Sequence, residues 1–288
     1  HVIEQTADSY RKIRNTLRFL LGNVHDFDPA AHAIALDDLC EMDRWVLAKL
    51  QELLEQVTAT YERFEFHRVF RRVYSFCVVE LSSFYFDVLK DRLYTAAADS
   101  PERRSAQTAL RHLADTLIVV LAPVLAFTAE EAWAALEPGA GSVHLERWPE
   151  GNPAWRETVL EAKWDRFEAL RPAVMKQLEA LRAERVIGNS LEAEVEFLTT
   201  DDEVASFLES FDDLAALCIV SRVTVSRVEP TAVSELGEAA EENLWIRVKR
   251  TGGVKCARCW KYFDALSGSE RHPGVCVHCL EVLEKLGL

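Results

Sequence analysis

LCEMDRWVLAKLQELLEQVTATYERF, residues 39–64, sets Leu39, Met42, Val46, Leu50, Leu53, Val57, Tyr61 and Phe64 three or four positions apart. That spacing draws one apolar stripe along a long helix and leaves the charged residues on the other faces. A single helix cannot bury its own stripe, so the chain must supply partners, and it does so on both sides. Downstream, Phe66, Phe70, Val73, Cys77, Leu81, Phe84 and Val88 repeat the pattern. Pro101 opens a third, through Leu110, Leu113, Leu117, Val120, Val124 and Phe127. Pro123 is expected to break or bend that helix, and Thr128-Ala-Glu-Glu131 reads as a capping box restarting a short one into Trp133. Upstream, residues 2–21 carry Val2, Ile13, Leu17, Leu20 and Leu21 on one side, with Gly22-Asn23 as the expected stop. After a loop over 138–153, a last helix from about Thr158 to Glu184 turns Leu160, Trp164, Phe167, Val174, Leu178 and Leu181 inward. Helices of this length predict a bundle over residues 1–185.

The period then changes from 3.6 to 2. Leu191, Ala193, Val195 and Phe197 alternate with Glu192, Glu194 and Glu196, the pattern of a strand with one wet face. A short helix around Glu203–Ala216 and a β-branched run from Ile219 to Val228 complete a small α+β unit over 186–242, closed by an acidic linker at 231–242. A further strand, Trp245-Ile-Arg-Val-Lys249, leads into a cysteine-rich module over 243–288. The fold class is therefore mainly α: a helical bundle, then a small α+β domain, then a four-cysteine module.

Charge is unevenly placed. The net formal charge is −14, which argues against a protein that binds nucleic acid over its whole surface. Residues 192–242 hold fourteen Asp and Glu against only Arg222 and Arg227, whereas 245–288 hold eight Lys and Arg against four acids. The acidity sits in one segment and the tail is basic. No apolar run is long enough to span a bilayer and no secretory signal pattern opens the chain, so a cytoplasmic protein with no membrane partner is expected.

Four of the seven cysteines lie in CARCWKYFDALSGSERHPGVCVHC, residues 256–279. Cys256 and Cys259 are two residues apart, as are Cys276 and Cys279. Such spacing lets both thiolates of a knuckle reach one ion, and two knuckles supply the four tetrahedral ligands that zinc accepts. With sulfur in every position there is no place for a reactive water, so one structural zinc ion is predicted and no catalytic residue. The alternative, redox dithiols or disulfides, would call for a thioredoxin-like setting that the pattern does not provide. A tail this short buries too little apolar surface to fold alone, whereas zinc binding contributes on the order of 10 kcal/mol. His272 and His278 lie near the second knuckle and read as surface histidines; Cys40, Cys77 and Cys218 read as ordinary buried thiols.

Around this module Arg247, Lys249, Arg250, Lys255, Arg258 and Lys261 can neutralise phosphates, and Trp245 and Trp260 offer flat faces to an unstacked base. In the bundle, Arg11, Lys12, Arg14, Asn15 and Arg18 form a basic side of the first helix, and Arg68, Arg71 and Arg72 crowd one turn of the third. For each, the competing reading is a solvated face or a partner for a nearby acid. Lys90, Asp91 and Arg92 read as helix-packing ion pairs.

Two stretches carry a family resemblance. Tyr10-Arg-Lys-Ile-Arg-Asn-Thr-Leu-Arg-Phe-Leu-Leu-Gly-Asn23 and Leu81-Ser-Ser-Phe-Tyr-Phe-Asp-Val-Leu-Lys-Asp-Arg-Leu-Tyr94 resemble the anticodon-binding helical domain of isoleucyl-tRNA synthetases, and more loosely of their valyl and leucyl relatives. Leu121–Trp133 and Val186–Ala193 fit the same family, and the cysteine tail is similar to the C-terminal zinc domain of its bacterial type. The resemblance implies the C-terminal part of an ATP-dependent ligase, monomeric, whose partners are an isoleucine-accepting tRNA and the remainder of the synthetase. The family's His-Ile-Gly-His-like and Lys-Met-Ser-Lys-Ser-like motifs are missing from these residues, so this piece alone is expected not to activate isoleucine. Two other classes stay open: a zinc-finger protein that binds or repairs duplex DNA, and a helical protein-interaction adaptor.

Overall fold

The computed structural model describes residues 2–229, 239–267 and 269–288, with Val2 described by its backbone alone. Most of the acidic linker expected at 231–242 therefore lies outside the described residues. The chain divides into two compact units, one running to Glu161 and the other from Ala162 to Leu288.

The first unit is helical. Its elements are α1 (Val2–Val24), the single turn α2 (Pro29–His32), α3 (Glu41–Glu62), α4 (Phe66–Phe76), α5 (Phe86–Thr95), α6 (Pro101–Leu121) and α7 (Ala126–Leu136). The stripe of α3 is buried from Met42 through Val57, as its spacing requires. Phe64 breaks from it: the backbone turns left-handed there, with φ 58°, and the ring is 78% exposed. Residues 77–85 between α4 and α5 form a π-helical stretch, and Leu81, Phe84 and Tyr85 of that stretch stay in the core. The wider turn shifts the buried stripe, so that Val88 and Leu89 both face inward.

Three local expectations need correction. Gly22-Asn23 does not stop α1, which continues to Val24 with the Asn23 side chain donating back to Phe19 O at 2.8 Å. Thr128 is not a cap, because α7 already starts at Ala126 behind Leu125; its hydroxyl instead meets Tyr10 Oη at 3.1 Å. Phe127, placed inward by periodicity, is 92% exposed, since the break at Pro123 resets the helical phase. Pro101 does open α6, with Ser100 Oγ accepting from Arg103 N.

The second unit centres on a three-stranded sheet. Its strands are β1 (Ala193–Thr199), β2 (Arg222–Arg227) and β3 (Leu244–Arg250), in the order β2-β1-β3. The first two are parallel and joined through α9 (Asp202–Glu209) and α10 (Leu214–Cys218); β3 runs antiparallel to β1. The long helix α8 (Thr158–Ala183) covers the free edge of β3: Gln177 donates to Ile246 O at 2.7 Å and accepts from Val248 N at 3.1 Å. At those two backbone groups the edge of β3 is closed to a foreign strand. The strand expected to belong to the cysteine module is thus a member of this sheet, and both boundaries expected from the sequence, at 185 and at 242, fall inside the second compact unit. The cysteine module follows as a hairpin, β4 (Val254–Lys255) with β5 (Tyr262–Phe263), and the helix α11 (Val277–Lys285). Two contacts tie it to the start of β2 and the residue before it: Tyr262 N donates to Ser221 Oγ at 2.7 Å and Arg222 pairs with Asp264 at 2.5 Å.

Candidate metal centre and nucleic-acid interface

Two tight turns bring the four cysteines together. In the first, Cys256 N donates to Lys261 O at 2.9 Å and Trp260 N to Cys256 O at 3.1 Å, with Trp260 at φ 67°. The hairpin approaches so closely that a Cβ on Gly253 would stand 2.8 Å from Phe263 O, so only glycine fits. In the second turn Gly274 takes φ 79° and accepts from Ala257 N at 2.9 Å. Cys276 then caps α11 and Cys279 sits in its first turn.

The four Sγ atoms lie within 4.8 Å of one another, and Cys259 and Cys276 are 3.8 Å apart. A tetrahedron with metal–sulfur bonds of about 2.3 Å has edges of about 3.8 Å, so the donor set fits a four-sulfur ion. All four are free thiols. Cys256, Cys276 and Cys279 are buried with Val275, and Phe263, Leu266, Leu280 and Leu283 pack around them. That is too little apolar surface for a core of its own. Neither His272 nor His278 belongs to the cluster.

The thiols pull on one another electrostatically. Burial alone would raise Cys256, but the backbone N–H groups of Cys259, Cys276 and Arg258 outweigh it and bring the thiol down to about 6. Cys279 goes the other way, to about 11: burial and the neighbouring Cys276 and Cys256 raise it, against Arg258, whose Nη1 stands 3.7 Å from its sulfur. Burial and the same crowding push Cys259 up as well. Four thiolates cannot share this volume without a cation, and a divalent ion removes the conflict.

The cations proposed for phosphate contact divide into engaged and free. On β3, Lys249 reaches Glu194 at 3.0 Å and Glu196 at 2.5 Å, Arg247 reaches Glu196 at 3.5 Å, and Arg250 reaches Glu192 at 3.8 Å. Lys249 with Glu194 and Arg247 with Glu196 are directly opposed across β3 and β1, Lys249 with Glu196 is a diagonal pair, and Glu192 lies just before β1, so the basic run of β3 neutralises the acidic run at and before β1. Trp245 is a correction: it is 7% exposed and offers no face to a base. Trp260 is 57% exposed, with Lys255 Nζ 5.2 Å from its ring centroid. Lys261 is half-buried beside it.

In the bundle Arg11 pairs with Asp8, Arg14 approaches Glu131 at 3.7 Å, and Lys12 donates to Tyr74 Oη at 3.1 Å. Arg68 pairs with Glu65 at 3.1 Å and Arg72 bonds Gln56. Asn15, Arg18 and Arg71 are exposed and make no hydrogen bond or ion pair among the described residues. Arg14 and Arg18 border a cavity of about 530 Å³ between α1 and α7, floored by Leu17, Leu21 and Ala132. Arg92 is structural, as its sequence context indicated, being bonded to the buried Asp43. What sequence reasoning missed is the exposure of Phe64 and Phe127; the reset of phase at Glu65 and at Pro123 was the available signal.

A helical bundle followed by a sheet and a four-thiol cluster, with cations on α1 and α4, defines a class that comparison makes explicit. Residues 43–197 match the family model described as the anticodon-binding domain of tRNA ligase, and the chain belongs to that family. Among curated proteins, the isoleucine-tRNA ligases of Syntrophotalea carbinolica and Symbiobacterium thermophilum are each 44% identical to it, over 98% and 100% of this chain. That of Thermotoga maritima is 42% identical over 98%. The chain spans about 30% of the length of these relatives. Among the described residues no helix is long and apolar enough to cross a membrane.

Proposed function

We propose that this chain is the tRNA-recognising part of an isoleucine-tRNA ligase, a cytoplasmic monomer whose full-length form attaches isoleucine to its tRNA using ATP. The observation that carries the reading is the match of residues 43–197 to the anticodon-binding family, embedded in 44% identity that runs on through the cysteine module. The chain lacks the nucleotide-binding motifs named above, so it contributes binding and no chemistry of its own. Its functional segments are the bundle of 1–185, a junction of 186–242 and a metal-held module of 243–288. A zinc-finger protein acting on duplex DNA is disfavoured, because the family match lies upstream of the cysteines.

Zinc is the ion the four sulfurs hold, one per chain, and it acts by shape. It holds the hairpin to α11, which keeps Trp260 and Lys255 presented to solvent, where stacking on an exposed ring is worth about 1–3 kcal/mol per base. Arg11, Lys12, Arg14, Asn15 and Arg18 on α1 and Arg68, Arg71 and Arg72 on α4 provide the phosphate-facing side, led by the free Arg18 and Arg71. Arg258 and Lys261 complete the module's cationic rim, while Arg247, Lys249 and Arg250 must exchange their carboxylates for phosphates to join it. A filter-binding titration with isoleucine tRNA, a non-cognate tRNA and duplex DNA at two salt concentrations tests this. Preference for isoleucine tRNA with a salt-dependent affinity supports the reading; equal binding of all three, or none, removes it.

A further inference from the structure

One residue of the first knuckle reaches sulfurs of both. Arg258 lies between Cys256 and Cys259, in the turn closed by Cys256 N on Lys261 O and Trp260 N on Cys256 O. Its backbone N–H faces the Cys256 sulfur together with those of Cys259 and Cys276, the last at 3.3 Å. Its side chain crosses to the second knuckle, where Nη1 stands 3.7 Å from Cys279 Sγ at the start of α11. The two contacts differ in kind. A backbone N–H is present whatever residue occupies the position, whereas the contact to Cys279 depends on the arginine side chain.

The partner of that side chain is informative. Elsewhere in the second unit arginines end on carboxylates, as Arg222 does on Asp264 and Arg227 on Glu209. Arg258 is half-buried and turns a terminal nitrogen to a sulfur that is fully buried. Four thiolates around a divalent ion leave two excess negative charges, here packed against Phe263, Leu266, Leu280 and Leu283. In such surroundings a cation beside one sulfur offsets more repulsion than it would in water. A guanidinium donating to a thiolate also draws electron density from it and holds it in its anionic, metal-binding form. Because a guanidinium has five N–H donors, contact through one terminal nitrogen is compatible with the rim role given to Arg258 above.

We propose that Arg258 is a positioning residue of the metal centre: its guanidinium neutralises the Cys279 thiolate, ties the two knuckles together and sets how tightly the ion is held. The inference rests on the reading of the four sulfurs as a zinc site. Two measurements on the 288-residue chain test it. The sulfur-to-metal charge-transfer band of the cobalt-substituted protein reports electron density on the sulfurs, and competition with a chromogenic chelator at neutral pH reports zinc affinity. Arg258→Gln is expected to move the band to longer wavelength and to weaken zinc binding about tenfold. Arg258→Lys, which keeps the charge, is expected to recover the larger part of both. Arg271→Gln, which removes an exposed charge of the same module, is expected to change neither. A wild-type band and affinity in Arg258→Gln, a lysine variant no better than the glutamine one, or an equal effect of Arg271→Gln overturns the inference. Should Arg258→Gln take up no metal, the lysine variant decides: near-wild-type values support the inference, and loss of the ion there too overturns it. Failure of the zinc reading itself shows separately, as wild-type chain that takes up no ion before any variant is compared.

Discussion

Arg92 grips Asp43 with both terminal nitrogens, Nη1 to Oδ2 at 2.9 Å and Nη2 to Oδ1 at 2.7 Å, joining α5 to the first turn of α3. Asp43 is fully buried and also accepts from Tyr85 Oη at 2.6 Å and Ser105 Oγ at 2.5 Å. Four segments of the bundle therefore meet at one carboxylate. Burial raises the Tyr85 hydroxyl well above its ordinary pKa, and the adjacent Asp43 charge adds to that, so it remains a donor at every pH the protein encounters.

Removing one partner of such a set strands the others. Asp43→Ala is expected to cost about 3–5 kcal/mol in denaturant unfolding, because it leaves the guanidinium of Arg92 without its counter-ion. Lys90→Ala, which breaks only the exposed pair with Asp87, is expected to change stability by less than about 1 kcal/mol. Equal effects would place the buried set outside the energetics of the bundle.

Metal should be separable from the bundle. Protein purified under reducing conditions without chelator is expected to carry one zinc ion per chain. Cys276→Ser is expected to lose it and to unfold the hairpin and α11, while most helical circular dichroism survives in α1 and α3–α8. A large loss of helix signal would mean that the sulfur site supports far more of the chain than its own module.

Gly253 tests the same site sterically. A methyl group there meets the Phe263 carbonyl at 2.8 Å and its carbon at 3.0 Å, both backbone atoms that cannot swing aside. Gly253→Ala is expected to cost about 1–3 kcal/mol and to weaken zinc retention in a chelator competition. Gly252→Ala, with nothing within 4 Å, is the control expected to behave as wild type.

Acid stability should bear the mark of Asp26. Burial would raise its carboxyl, but the hydrogen bonds from Arg103 and Gln107 and the Arg103 charge bring it from 3.8 down to about 2. A folded-state pKa below the unfolded one gives stability that is complete above about pH 4 and lost as the pH falls toward 2. Asp26→Asn is therefore expected to lower stability at neutral pH and to flatten the loss between these limits. A wild-type slope retained in the variant would assign the acid limb to other groups.

RNA affinity should follow which cations are free. Arg71→Gln is expected to weaken tRNA binding and to reduce the slope of log affinity against log salt by about 0.7–0.9, one phosphate contact. Lys249→Gln is expected to do less, because its charge is already spent on Glu194 and Glu196. The reverse order would place the RNA on the sheet instead of on α4.

The legible parts of this fold are those encoded locally. Met42 through Val57 could be read because burial repeats with the helical period, and the four cysteines because metal geometry demands their spacing. Phe64 and Phe127 were misread where the chain turns and the phase restarts, which periodicity cannot follow. The pairing of β3 with β1 joins residues about fifty positions apart, and no local pattern sets such a partner. A trace was nevertheless present, since Glu194 and Glu196 alternate in the same register as Arg247 and Lys249. Individual charges were visible as residues but not as contacts, so the engagement of Arg68 by Glu65 and the freedom of Arg71 emerged only in three dimensions.

The central claim, that this chain reads the anticodon of an isoleucine tRNA, is tested most directly by changing the anticodon alone. Affinity of the zinc-loaded chain would be measured for isoleucine tRNA and for the same transcript carrying another anticodon, at one low salt concentration. The account predicts a clear loss of affinity on the exchange. Identical affinities for the two transcripts would contradict it.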